Sequence, residues 1–153
     1  MAVLFLDSSA VVKRYVSESG SQWTRTVLDP AVANEHHVSV VTGVGVISAI
    51  IRRRRIGSLD ATTASAAISE FLDDGQYLFS HVAAGERQID RAMKFAQTHV
   101  LRGYDAIQLV SAVALGERYQ TLGIQMIFVS ADDGRNAAAI AEGLPVENPD
   151  LHP

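Results

Sequence analysis

The chain has no cysteine. That excludes disulfides, zinc–thiolate sites and thiol chemistry, and gives no reason to place the protein in an oxidising compartment. No stretch is long and apolar enough to span a bilayer. The first residues, Met1–Asp7, lack a positive n-region and reach an acid too early for a signal peptide, so a cytoplasmic location is expected. There is no excess of positive charge either: the formal net charge is −4. A protein that coats nucleic acid is usually basic. Any contact with nucleic acid must therefore be local, and Arg52-Arg53-Arg54-Arg55 is the one dense basic cluster. Gly-rich phosphate loops, Ser-His-Asp constellations and histidines at metal-ligand spacing are all missing.

What remains is an ordinary globular composition, 48% hydrophobic and 20% charged over 153 residues. This suits a single domain, 1–153, with a sizeable core, and no repeat or linker divides it. Val3–Leu6 reads as a buried strand, followed by a helix for which Ser8 and Ser9 are good cap types. Gly20-Ser21 opens a second helix, and His37–Val40 alternates as a strand. Val46, Ile47, Ile50 and Ile51 lie at helical spacing, in a helix closed by the arginine run. A helix opens at Leu59-Asp60 and stops near Gly75. Tyr77-Leu78-Phe79 reads as a strand. Gly85–Thr98 reads as a helix with Ile89, Ala92, Met93 and Ala96 on one face. Ala106, Val110, Val113 and Ala114 mark the next helix. Ile124–Val129 reads as a central strand, and Asp132 opens a helix ended by Gly143. Leu144–Val146 is a final strand. Strands alternating with helices indicate a parallel sheet flanked by helices.

Within that plan three aspartates share one location. Asp7 ends the first strand, Asp132 follows the run Ile124–Val129, and Asp105 stands at the head of a helix. Ligands of open α/β sheets bind at the carboxyl ends of the strands. Carboxylates brought together repel unless a cation neutralises them, and hard oxygen ligands suit Mg²⁺ or Mn²⁺. Each acid also has a simpler explanation: Asp7 and Asp132 as helix N-caps, Asp105 as a first-turn acid favoured by the helix dipole. Asp133 is a fourth acid nearby. Ser9 and Ser130 could cap or could orient a carboxylate. Lys13 and Arg52–Arg55 could hold a phosphate or be solvated. Gly43 and Gly45 lie near the start of a helix, where glycine costs about 0.8–1.0 kcal/mol relative to alanine. Either close packing or a lost functional side chain would explain Gly45.

Phe5–Tyr15 resembles the opening motif of PIN-domain proteins, in particular the VapC-type toxin ribonucleases of toxin–antitoxin pairs. Leu101–Leu109 resembles the family's second aspartate motif, and Phe128–Asp133 its third. The resemblance implies a three-layer α/β/α sandwich with a central parallel sheet. It implies a metal-dependent endoribonuclease using Mg²⁺ or Mn²⁺, an antitoxin partner and a homodimer. By motif position, Asp7, Asp105 and Asp132 would be the catalytic and metal-binding acids, with Asp133 as a further ligand. Val40–Ala49 resembles the family's glutamate motif, but Gly45 stands where the glutamate belongs. Loss of such a group would weaken the site, since even residues that only orient metal ligands are worth 10–100-fold. The alternative expectation is an inactive PIN-like protein that binds RNA or antitoxin.

Overall fold

The structure is a computed structural model and describes residues 1–152. Its strands are β1 (Val3–Leu6), β2 (Glu35–Ser39), β3 (Ser80–Val82), β4 (Met126–Val129) and β5 (Val146–Glu147). Its helices are α1 (Ser8–Tyr15), α2 (Ser21–Val27), α3 (Thr42–Arg55), α4 (Ala61–Asp74), α5 (Glu86–Thr98), α6 (Gly103–Thr121) and α7 (Asp133–Ala141). A short 3-10 turn, Pro149–Leu151, follows β5. All strand pairings are parallel, in the order β3-β2-β1-β4-β5.

Strand β1 is buried on both faces, and its alternation builds two cores. Leu4 and Leu6 pack with Val38 of β2 and the apolar faces of α1, α3 and α4. Val3 and Phe5 point the other way, to Met126 and Phe128 of β4 and to helices α5, α6 and α7. Successive side chains of a strand face opposite sides of the sheet, so four apolar residues in a row serve both layers. The result is the α/β/α sandwich expected from the sequence.

The chain runs from β1 outward through β2 and β3, then crosses to the other side for β4 and β5. The strand order therefore reverses between β1 and β4, and a crevice opens beyond the carboxyl ends of these two neighbours. There the Asp7 N–H donates to the Val129 carbonyl at 3.1 Å, joining the two strand ends.

Five expectations need correction. Strand β2 runs Glu35–Ser39 rather than His37–Val40, because its pairing with β1 starts at Glu35. Strand β4 starts at Met126 rather than Ile124, where its pairing with β1 begins. The strand expected at Tyr77–Phe79 begins three residues later, at Ser80. Tyr77 is exposed in a turn and Phe79 is buried against the core, so the apolar run is a packed approach to an edge strand. On α5 the buried residues are Ala92 and Phe95, while Ile89 and Met93 are exposed. The last strand is Val146–Glu147, because Gly143 (φ +85°) ends α7 in the left-handed conformation and Leu144 and Pro145 carry the chain back. Among the described residues, no helix is long and apolar enough to cross a membrane.

Candidate active site

Asp7 is the N-cap of α1. Its Oδ1 accepts from the backbone N–H of Ser9 (2.9 Å) and Ala10 (3.1 Å), and from the Ser9 hydroxyl (2.6 Å). Its other oxygen, Oδ2, is fully buried and accepts no hydrogen bond. Asp132 is built the same way on α7. Its Oδ1 accepts from the Arg135 backbone N–H at 2.8 Å, leaving Oδ2 to face the crevice. Capping and site-building are thus not alternatives for these two residues, because each uses one oxygen for each task. Asp105 lies in the first turn of α6, half-buried.

Ser9 and Ser130 hold the two strand-to-helix loops together; Ser9 also lines the crevice, but its hydroxyl is spent on Asp7 Oδ1 and the Ala131 N–H. The Ala131 N–H donates to Ser9 Oγ (2.9 Å) and the Asp132 N–H to Ser130 Oγ (3.1 Å). The two hydroxyls lie 3.4 Å apart. Asn136 adds a bond to the Ser130 carbonyl at 2.9 Å.

The three aspartates converge, and what they converge on is Arg135. Its Nη1 lies 3.0 Å from Asp7 Oδ2 and 3.3 Å from Asp105 Oδ1, and its Nη2 lies 3.4 Å from Asp132 Oδ2. The Asp7 contact is close enough for an ion pair, yet Nη1 and Nε of Arg135 make no directed hydrogen bond. Burial works against the charged guanidinium, but Asp7, Asp105 and Asp132 together hold its pKa above the ordinary value. Asp105 is raised too: burial dominates, and the like charges of Asp132 and Asp7 add to it, against the pull of Arg135. The sequence signal for Arg135 was its place one helical turn after Asp132, which puts both on one face.

Gly45 of α3 faces the same crevice. A Cβ there would overlap the Tyr104 hydroxyl and lie 2.8 Å from Ser8 Cβ. Tyr104 is held in this place by Gln108, whose Nε2 donates to its hydroxyl at 2.8 Å, and Gln108 Oε1 in turn accepts from Thr42 Oγ1 at 3.0 Å. Close packing therefore accounts for glycine at position 45: Tyr104 fills the space a larger side chain would take.

Gly45, Tyr104, Asp105, Asp132 and Arg135 line a cavity of about 730 Å³, while Asp7 is fully buried and not on its wall. Arg52, Arg53 and Arg102 are its basic wall. Arg54 and Arg55 are exposed outside it, and Asp133 is exposed and not among its lining residues. Arg53 is partly committed, with Nη2 2.8 Å from Glu18 Oε2. Lys13 lines the cavity but is only 5% exposed and fully engaged. Its Nζ reaches Asp150 Oδ1 (2.7 Å), Glu18 Oε1 (3.1 Å) and the Ser19 carbonyl (3.0 Å), so it ties α1 to the C-terminal turn rather than offering charge to a phosphate. Arg102, the N-cap residue of α6, was missed by sequence reasoning, since a lone arginine before a glycine carries no pattern.

The donor set is right in kind for a hard divalent cation: carboxylate oxygens, one of them buried and unpartnered. As arranged, however, it balances a guanidinium. Among the described residues, no group of three or more His, Cys, Asp or Glu side chains is placed to hold a metal ion.

The sequence matches no protein-family model and no curated protein. Solved structures do share its fold. A chain of VapBC2 from Rickettsia felis, bound to a DNA fragment from its promoter, superposes with a TM-score of 0.60 at 12% identity, covering 95% of this chain and 98% of that one. The toxin VapC20 of Mycobacterium tuberculosis, which cleaves the sarcin–ricin loop, gives 0.59 at 16% identity, covering 93% and 99%. FitAcB from Neisseria gonorrhoeae gives 0.60 at 14% identity, covering 98% and 99%. The chain thus has the PIN-type fold of VapC toxins over nearly its whole length.

Proposed function

We propose that this chain is the toxin-type member of a toxin–antitoxin pair and that it cleaves RNA phosphodiester bonds at the Asp7–Asp105–Asp132 site with Mg²⁺ or Mn²⁺. The observation that carries this reading is the convergence of these acids, from three distant stretches of chain, beside a cavity walled by Arg52, Arg53 and Arg102. When bound, the cation would acidify a water and offset charge on the phosphate oxygens. Asp7 Oδ2, Asp105 and Asp132 Oδ2 would be the groups that hold it. Arg52 and Arg102 would hold the RNA backbone, and the open cavity suits single-stranded or loop RNA better than a duplex. An antitoxin partner and a homodimer are part of the same reading. Sedimentation of the purified chain tests the dimer.

The Tyr104 hydroxyl over Gly45 favours a second reading, an inactive protein of this fold that retains RNA or antitoxin binding. Incubating a mixed RNA pool with the chain and Mn²⁺, beside Asp7→Asn, separates the two. Cleavage that Asp7→Asn abolishes supports the nuclease. Cleavage that survives Asp7→Asn would remove these acids from the chemistry. RNA bound but uncut by the unaltered chain would support the inactive reading.

A further inference from the structure

Arg135 is an unusual presence at this point. A buried arginine is normally held by its planar fork, each N–H aimed at an acceptor. Here the residue is 8% exposed, yet Nε and Nη1 make no directed hydrogen bond. The head is held by charge, at 3.0–3.4 Å from three carboxylates. The oxygen it faces most closely, Asp7 Oδ2, is equally without a hydrogen-bond donor. Around Asp7 Oδ1, by contrast, all donors are in place within 3.1 Å. The cluster is therefore tightly built on its outer side and loosely satisfied at its centre. Arg135 also belongs to the cavity wall, at the end of a long side chain on the first turn of α7. A cation on a long stem, held mainly by charge with only Nη2 in a weak 3.4 Å contact to Asp132, is an exchangeable occupant.

We propose that Arg135 is a built-in competitor of the divalent cation. In the metal-free protein the guanidinium offsets part of the charge of Asp7, Asp105 and Asp132, and a metal ion takes these oxygens only as Arg135 withdraws. The proposal rests on the reading that the acids form a metal site, and it adds that the chain regulates its own metal affinity. Removing the guanidinium then has two linked effects. The carboxylates lose their counter-ion and the metal-free fold weakens. Metal binds more tightly and restores the fold, because a ligand that binds only the folded state stabilises it by mass action.

The test is calorimetric titration of Mn²⁺ into the full chain, with melting curves in the presence and absence of Mn²⁺. It compares the unaltered protein with Arg135→Met, with Arg135→Met/Asp105→Asn, and with Arg135→Gln as a second charge-free variant should Arg135→Met not fold without metal. The expected result is Mn²⁺ affinity roughly tenfold or more above the unaltered protein, the size of change that neighbours of a metal site commonly make. The charge-free variants should melt lower than the unaltered protein without metal and gain more from Mn²⁺. Asp105→Asn in the Arg135→Met background should cancel the gain. Equal Mn²⁺ affinity with and without Arg135 would overturn the competition while leaving the nuclease reading standing. No Mn²⁺ binding by any variant would overturn both. Enhanced binding in Arg135→Met without RNA cleavage would support the competition and sink the nuclease.

Discussion

At the scale of single residues, Gly45 and Tyr104 carry the sharpest consequence. Because a Cβ at position 45 overlaps the Tyr104 hydroxyl and crowds Ser8, Gly45→Glu does not simply add an acid to the site. Overpacking of this kind costs about 1–3 kcal/mol. Urea denaturation should show Gly45→Glu destabilised by that order. Gly45→Glu/Tyr104→Ala should be more stable than the sum of the single changes, as expected of residues in contact. Strict additivity would mean that Tyr104 does not occupy that space. Asp7 gives a second test. Asn is as good an N-cap as Asp, whereas Ala forfeits about 1 kcal/mol. Asp7→Asn should therefore be more stable than Asp7→Ala in the same denaturation series, while both lose the charge that faces Arg135. Equal stability of the two would show that the cap contributes nothing. The three aspartates were legible in the sequence because Asp7 and Asp132 follow apolar strand runs and Asp105 heads an apolar helix pattern. Arg135 and Tyr104 were not: the spacing of Arg135 from Asp132 does not show that Asp7 and Asp105 also meet it, and Tyr104 acts through Gln108 and Gly45.

At the scale of elements, the helices were read well because their apolar spacing is local. Strand β3 was read too early because its short, exposed sequence, Ser80-His81-Val82, has no apolar alternation, and an apolar run lies just before it. Its identity comes from pairing with His37–Ser39, which no local pattern encodes. Helix α3 shows the same limit in its basic end. The four arginines look equivalent in sequence, but a helix turns about 100° per residue, so they cannot all face one cavity. Arg52 and Arg53 face it and Arg54 and Arg55 do not, while Arg102 joins the wall from α6. RNA binding by the unaltered chain, followed as a function of salt, should separate them. Arg52→Ala and Arg102→Ala should each weaken binding and reduce the log–log salt slope by about 0.7, the value for one phosphate of a single strand. Arg54→Ala and Arg55→Ala should leave the slope unchanged. Equal effects at all four positions would mean that the run acts as a diffuse patch and the cavity wall has no special part.

At the scale of the whole molecule, the two ends of the sheet are held by different chemistry. The carboxyl ends of β1 and β4 carry the acid cluster. Across the fold, β2 is tied to the end of α6 by a polar triad of Glu35, His37 and Tyr119. The Tyr119 hydroxyl donates to Glu35 Oε2, and His37 Nε2 lies 2.9 Å from the Tyr119 oxygen and 3.5 Å from Glu35 Oε2. Burial, then Glu35, push Tyr119 up to about 12, so its hydroxyl stays protonated and the donor is fixed. His37 Nε2–H then donates to that oxygen, which requires only the neutral ring. Burial lowers the His37 pKa below 6.5, and Glu35 raises it by less. A group whose folded pKa is depressed contributes stability that is fully present above its unfolded pKa and lost as pH falls through the folded one. For His37 this loss begins below 6.5. Glu35, held low by the Tyr119 hydrogen bond, acts in the same direction below 4.5. Global stability should thus fall in two stages on acidification, the first belonging to His37. Urea midpoints across a pH series, for the unaltered chain and His37→Gln, isolate that stage. The variant should lack the drop that begins below 6.5 yet retain the later one, since Glu35 and Tyr119 are untouched. Parallel curves would show that His37 enters folding with its ordinary proton affinity and that the triad holds β2 to α6 through Glu35 and Tyr119 alone.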